Sequence, residues 1–115
     1  MKVLIVDDSS QMRTMMRQYL PSDADEFCEC EDGIEAVECY ERFLPDWVLM
    51  DWEMKRMNGL KATKKILAKF PDAKILLVTQ HNEVEMREAA SGAGARGFVL
   101  KEDLAELRRM LAVQG

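Results

Sequence analysis

The chain lacks any run approaching the ~20 apolar residues that a membrane span needs, so no membrane insertion is expected. It also lacks a basic excess: 16 Lys and Arg stand against 21 Asp and Glu, a net charge of −5. General nucleic-acid binding needs a basic footprint, so no direct nucleic-acid partner is expected. The short apolar run after Lys2 is broken by Asp7-Asp8 too early for a signal peptide, and a cytoplasmic location follows as the default expectation. Cysteine is scarce and odd in number: Cys28, Cys30 and Cys39. A C-x-C pair without a second Cys/His pair is a weak metal signal. We expect Cys28 and Cys30 to face opposite sides of a strand, and all three cysteines to be reduced structural thiols, as in a cytosolic setting. The single histidine, His81, is expected to be solvated or locally hydrogen-bonded.

What is present describes one domain over residues 1–115. Its 48% hydrophobic and 32% charged residues are ordinary for a globular protein, and the length leaves no room for a second fold. Short apolar runs alternate with helical patterns. Residues 3–6 read as a buried strand, and Ser9 or Ser10 can cap the helix that follows. Met12, Met15, Met16, Tyr19 and Leu20 recur at helical spacing until Pro21 ends the run. Residues 26–30 form a less apolar strand, expected at or near a sheet edge. Ile34, Val37, Tyr40 and Phe43 or Leu44 mark a second helix, broken by Pro45-Asp46. Residues 47–50 form the third strand. Leu60, Thr63, Ile66, Leu67 and Phe70 mark a third helix, closed by Pro71. A fourth strand spans 74–78, a fourth helix carries Val84, Met86, Ala89, Ala90 and Ala93, and a fifth strand spans 97–100. Leu104, Leu107 and Leu111 mark the last helix. Five β-α repeats predict an α/β fold, a parallel sheet with helices on both faces.

Chemistry-bearing residues fall at the ends of these strands. Asp7-Asp8 follow the first, Asp51 the third, Thr79 the fourth and Lys101 the fifth. In an open parallel sheet the carboxyl ends of the strands share one edge, where ligands bind. Residues distant in sequence then meet in one pocket. Two carboxylates ~4 Å apart repel by roughly 4 kcal/mol at an effective dielectric near 20, so the cluster calls for a cation. An all-oxygen set suits a hard one such as Mg²⁺. A metal, a nucleophilic carboxylate, a hydroxyl and an ammonium together make a site for a phosphoryl group.

The segments VLIVDDSSQMR, VLMDWEMKRMNG, ILLVTQ and AGARGFVLK, in that order and spacing, resemble the receiver domains of two-component response regulators, chemotaxis-type regulators among them. The resemblance covers essentially the whole chain. It implies a flavodoxin-like (βα)5 three-layer sandwich with strand order 2-1-3-4-5. It also implies a phosphorylation-dependent switch rather than an enzyme acting on an external substrate. The phosphoryl donor would be a sensor histidine kinase or phosphotransfer protein, and the reader a downstream target protein or output domain. By this resemblance Asp51 is the phospho-acceptor. Asp7, Asp8, Asp51 and the backbone carbonyl of Glu53 hold Mg²⁺, Lys101 pairs with the phosphoryl oxygens, and Thr79 and Phe98 are the switch residues. Backbone N–H groups of Trp52 and Gln80 are candidates to complete the oxyanion cradle.

Some positions depart from the family pattern. Lys55 and Glu102 stand where prolines are usual. Lys55 is expected to lean toward Glu53 or solvent, and the Lys101-Glu102 bond to be trans. Gln80, Glu53 and His81 bear on access and phosphoryl lifetime. The glycines of Gly92-Ala93-Gly94-Ala95-Arg96-Gly97 fit G-x-G-x-x-G but follow a helix and precede a strand, the reverse of a dinucleotide fingerprint, so they are expected to end a helix and turn. Two other readings compete. One is a pseudo-receiver that is not phosphorylated, the other an excised N-terminal receiver of a longer regulator. A D-x-D-x-T phosphatase lacks its second Asp and Thr here, and Asp7-Asp8 would repel a flavin phosphate.

Overall fold

A computed structural model describes residues 1–114. Val3, Leu4, Ile5 and Val6 are all fully buried, because the strand they form, β1 (Lys2–Val6), lies inside the sheet with apolar layers on both faces. The remaining elements follow in the expected alternation: α1 (Ser10–Gln18), β2 (Glu26–Cys30), α2 (Gly33–Phe43), β3 (Trp47–Asp51), α3 (Gly59–Lys69), β4 (Ile75–Thr79), α4 (Val84–Gly92), β5 (Gly97–Leu100), a 3-10 turn (Lys101–Asp103) and α5 (Ala105–Gln114). The strands pair in parallel in the order β2-β1-β3-β4-β5, as expected. β4 runs one residue later than the sequence pattern placed it, and Asp51 and Thr79 are the last residues of their strands.

Strand residues alternate between two apolar layers. Leu4, Val6, Val48, Met50, Ile75 and Leu77 pack with the α2, α3 and α4 side, including Ala36, Tyr40, Ile66 and Ala90. Val3, Ile5, Trp47, Leu49, Leu76 and Val78 pack with Met16, Leu104, Leu107 and Leu111 of the α1 and α5 side. Side chains of Ser9, Asp32 and Asn58 accept the N–H groups of Met12, Glu35 and Lys61 at the starts of α1, α2 and α3, so Ser9 is the first cap. Each such cap is worth about 1 kcal/mol.

Several expected core positions move. Met15 and Tyr19 are 39% and 36% exposed, and only Met16 is buried in α1, since a short helix on one side of the sheet can bury only a narrow stripe. In α2 the buried stripe runs through Ala36, Cys39 and Tyr40. Leu44 sits beyond the helix end at φ 49 and is exposed, leaving Phe43 against the core. Val84 is exposed and α4 buries only Ala90. Cys28 and Cys30 share one face of β2 and gather with Cys39, contrary to the opposite-face expectation. Residues two apart in a strand line the same side. Burial first of all pushes the Cys28 and Cys30 thiols up. Gly94, at φ 93, turns the chain after α4, as expected of that glycine run. Among the described residues no peptide bond is cis, and no helix is long and apolar enough to cross a membrane.

Candidate functional site

The parallel order brings the ends of β1, β3, β4 and β5 to one edge, and four of the sequence-predicted residues leave the sheet there. Asp7, Asp51 and Thr79 are at most 1% exposed, whereas Asp8 faces solvent. One carboxylate oxygen from each of Asp7, Asp8 and Asp51 lies within 4.8 Å of the others. Lys101, from the turn after β5, places Nζ 3.1 Å from Asp51 Oδ1 and 3.3 Å from Asp7 Oδ2. Beyond this one ammonium, neither of these buried oxygens has a hydrogen-bond donor. Asp7 Oδ1 accepts the Ser9 N–H at 2.9 Å, and the Asp7 carbonyl accepts from Arg13 Nη1 at 2.6 Å. The Ser9 N–H thus holds the carboxylate, and Arg13 of α1 holds the backbone that carries it.

The electrostatics follow from burial. Asp51 is pushed up to about 6, first by desolvation and then by the Asp7 charge, with Lys101 and the Glu53 backbone N–H pulling the other way. Desolvation also raises Asp7, against the Ser9 N–H and Lys101. Burial alone would lower Lys101, but the charges of Asp51 and Asp7 outweigh it and leave it raised. One ammonium therefore faces more negative charge than it neutralises. Two buried carboxylates that share one ammonium cost free energy unless a proton or a second cation reaches them. The Asp7 and Asp51 carboxylates, only partly neutralised by Lys101, with the exposed Asp8 carboxylate beside them, fit a hard divalent cation of Mg²⁺ type.

Glycine makes this packing possible at one point. A Cβ on Gly59 would run into the Asp51 carbonyl oxygen, and the Gly59 N–H donates to the Trp52 carbonyl at 2.8 Å. The loop after β3 is thereby folded tightly from Asp51 to the start of α3. Across this loop Arg56, at φ 64, donates from Nε and Nη2 to Asp32 Oδ2. Glu53 and Lys55 are exposed. Lys55 makes no ion pair among the described residues, in keeping with a solvated loop lysine. The Trp52 N–H donates to the Val78 carbonyl at 3.0 Å, so it is spent in the sheet and does not serve an oxyanion cradle. The Glu53 N–H, which the sequence reading missed, is the one directed at Asp51. Only the turn geometry after β3 distinguishes these neighbours.

Around the rim, Thr79 Oγ1 accepts the His81 N–H at 3.2 Å. His81 Nε2 lies 2.9 Å from Glu53 Oε1, so the histidine is locally paired, as expected. Phe98 is half-buried. Its ring meets Trp52 edge-on at 6.1 Å and carries the Arg87 guanidinium at 4.7 Å.

The family model described as the response regulator receiver domain matches residues 3–112. The chain belongs to this family. It is 39% identical over 102 residues to the chemotaxis protein CheY of Listeria monocytogenes, covering 88% of this chain and 86% of that one. It is 34% identical to the transcriptional regulatory protein DegU of Brevibacillus brevis, covering 88% of this chain but 44% of that longer protein. Among solved structures, the response regulator domain of Thermotoga maritima CheB superposes with a TM-score of 0.84 at 29% identity, covering 99% of this chain and 92% of that one. Receiver domains are phosphorylation-dependent signalling modules of two-component systems, not ordinary enzymes. They bind Mg²⁺ through acidic residues, and the Asp7, Asp8 and Asp51 cluster is a group able to hold one.

Proposed function

We propose that this receiver domain takes a phosphoryl group from a sensor histidine kinase or phosphotransfer protein onto Asp51 and thereby changes its partner-binding surface. The observation that carries this reading is the Asp51 carboxylate itself. It is buried at a strand end, lies 3.1 Å from Lys101 and shares with Asp7 and Asp8 a corner able to hold a cation.

A carboxylate is a weak nucleophile, but phosphohistidine is an activated donor, so catalysis reduces to alignment and charge neutralisation. An Asp51 oxygen attacks phosphorus, the phosphorus–nitrogen bond breaks, and the electron pair returns to the donor imidazole. Asp7, Asp8, Asp51 and the Glu53 carbonyl are the proposed Mg²⁺ ligands. The ion supplies positive charge against the phosphoryl oxygens. Lys101 supplies a second positive charge beside Asp51, and the Glu53 N–H supports the developing oxyanion. Phosphorylation adds acceptors at Asp51 that draw in the Thr79 hydroxyl, at the cost of its bond to the His81 N–H. Phe98 then turns toward the vacated space, leaving its Arg87 and Trp52 contacts. The readout is the surface of α4, β5 and α5, presented to a target protein or output domain. Residues 1–115 act as one receiver domain in this reading.

Intact mass after incubation with Mg²⁺ and acetyl phosphate tests it. One phosphoryl adduct on the wild type and none on Asp51→Ala is expected. No adduct from either this donor or a phosphohistidine protein would make the chain a pseudo-receiver. An adduct that survived Asp51→Ala would move the acceptor elsewhere.

A further inference from the structure

The three cysteines, which the switch does not use, come together on the other side of β1 from β3. Cys28 and Cys30 project from one face of the edge strand β2, and Cys39 reaches them from α2. Their sulfurs all lie within 4.8 Å of one another. Cys30 is 3% and Cys39 9% exposed, while Cys28 is half-buried and gives access from solvent. No His, Asp or Glu joins the group among the described residues. Arg42, one turn along α2, donates from Nη2 to Cys39 Sγ at 3.5 Å.

We propose that Cys28, Cys30 and Cys39 form a three-sulfur site for a soft, thiophilic metal ion, with monovalent copper the ion that fits best. Thiolate ligands select soft cations over the hard ions of the acidic corner. Structural zinc takes four ligands, and only three are offered here. A trigonal ion with bonds near the ~2.3 Å of metal–thiolate contacts sets its sulfurs ~4 Å apart, so a cluster already within 4.8 Å needs no more than small rotamer shifts. The strand fixes two sulfurs and the packed helix the third, which leaves little ordering to be done on binding. Each ligating thiol gives its proton to solvent, copper stays monovalent, and no electron moves. Three thiolates on Cu⁺ leave negative charge at the site, and the Arg42 guanidinium beside Cys39 offsets part of it.

Titration of the reduced, Mg²⁺-free full chain with Cu(I), under nitrogen and against a chromophoric Cu(I) chelator, tests the site. Expected are one copper per chain withdrawn from the chelator, a sulfur-to-copper charge-transfer band, and X-ray absorption showing about three sulfurs at ~2.3 Å. Cys28→Ser, checked for native circular dichroism, should weaken binding by at least about ten-fold, and Cys39→Ser likewise. On the unaltered chain, bound copper should protect Cys28 from alkylation, which keeps the test independent of how the variants fold. The proposal fails if the chelator keeps the copper, or if both variants bind as tightly as wild type. It also fails if Zn²⁺ binds and Cu(I) does not, or if copper treatment leaves a disulfide, read as a loss of two hydrogens in mass, with no metal bound.

Discussion

At Asp51, burial and the Asp7 charge favour the protonated acid while Lys101 favours the carboxylate, and the balance puts the group at about 6 against an ordinary 3.8. A folded-state value above the unfolded one means that the folded chain holds more protons between about pH 4 and 6. The stability from this group is present below pH ~4 and is lost as pH rises through ~6. Two units correspond to roughly 3 kcal/mol, with the Lys101 pairing already counted in the balance. Asp51→Asn is therefore expected to stabilise the metal-free protein at pH 7 by about 1–3 kcal/mol, read as a higher urea midpoint at unchanged slope. An equal or lower midpoint would show that the Lys101 pairing outweighs the burial cost. The same linkage sets the metal: protons and Mg²⁺ compete for one cluster, so Mg²⁺ affinity should rise through pH ~6 and then level off. Isothermal titration across that range checks it, and a flat profile would count against a protonated Asp51. The acids were legible in the sequence because each ends an apolar run. The burial of Asp7 and Asp51 against one shared ammonium was not, since it depends on how Ser9, Lys101 and Glu53 aim from three different segments.

Among the elements, the turn from β3 into α3 is the tightest joint. Gly59→Ala puts a methyl against the Asp51 carbonyl oxygen, where backbone on both sides leaves little room to yield. A loss of about 1–3 kcal/mol is expected, together with weaker Mg²⁺ binding, because the Glu53 carbonyl and N–H lie in the same turn. Chemical denaturation and Mg²⁺ titration of the variant read both effects; an unchanged Mg²⁺ affinity would separate this joint from the site. The contrasting case is the stripe of Leu104, just before α5, with Leu107 and Leu111 on it, which is buried as its spacing predicts. Leu107→Ala should cost about 2–5 kcal/mol while leaving metal affinity intact. The α1 and α2 stripes were only half legible. Met15 and Leu44 fit a helical period, yet the sheet face is too narrow to cover the first, and the second lies past a left-handed helix end.

For the whole molecule, the two tryptophans report different things. Trp47 is fully buried in the α1 and α5 layer. Trp52 touches Phe98 at the rim of the site. If Phe98 turns as proposed, activation with Mg²⁺ and beryllofluoride should change Trp52 emission and spare that of Trp47. Comparing Trp47→Phe with Trp52→Phe assigns the change, and a signal that stays with Trp47 would place the rearrangement in the other layer. The number, type and order of elements, and the sheet edge that collects Asp7, Asp51, Thr79 and Lys101, follow from apolar periodicity and strand-end placement along the chain. Those are local patterns, and a parallel α/β sheet has few ways to satisfy them. Other features required the assembled fold. The Trp52 N–H goes to β4 while the Glu53 N–H faces Asp51. Two buried carboxylates share one ammonium, and three cysteines that look unrelated in sequence share one space. Each of these is a distance between groups on different segments, and such distances exist only once the layers have packed.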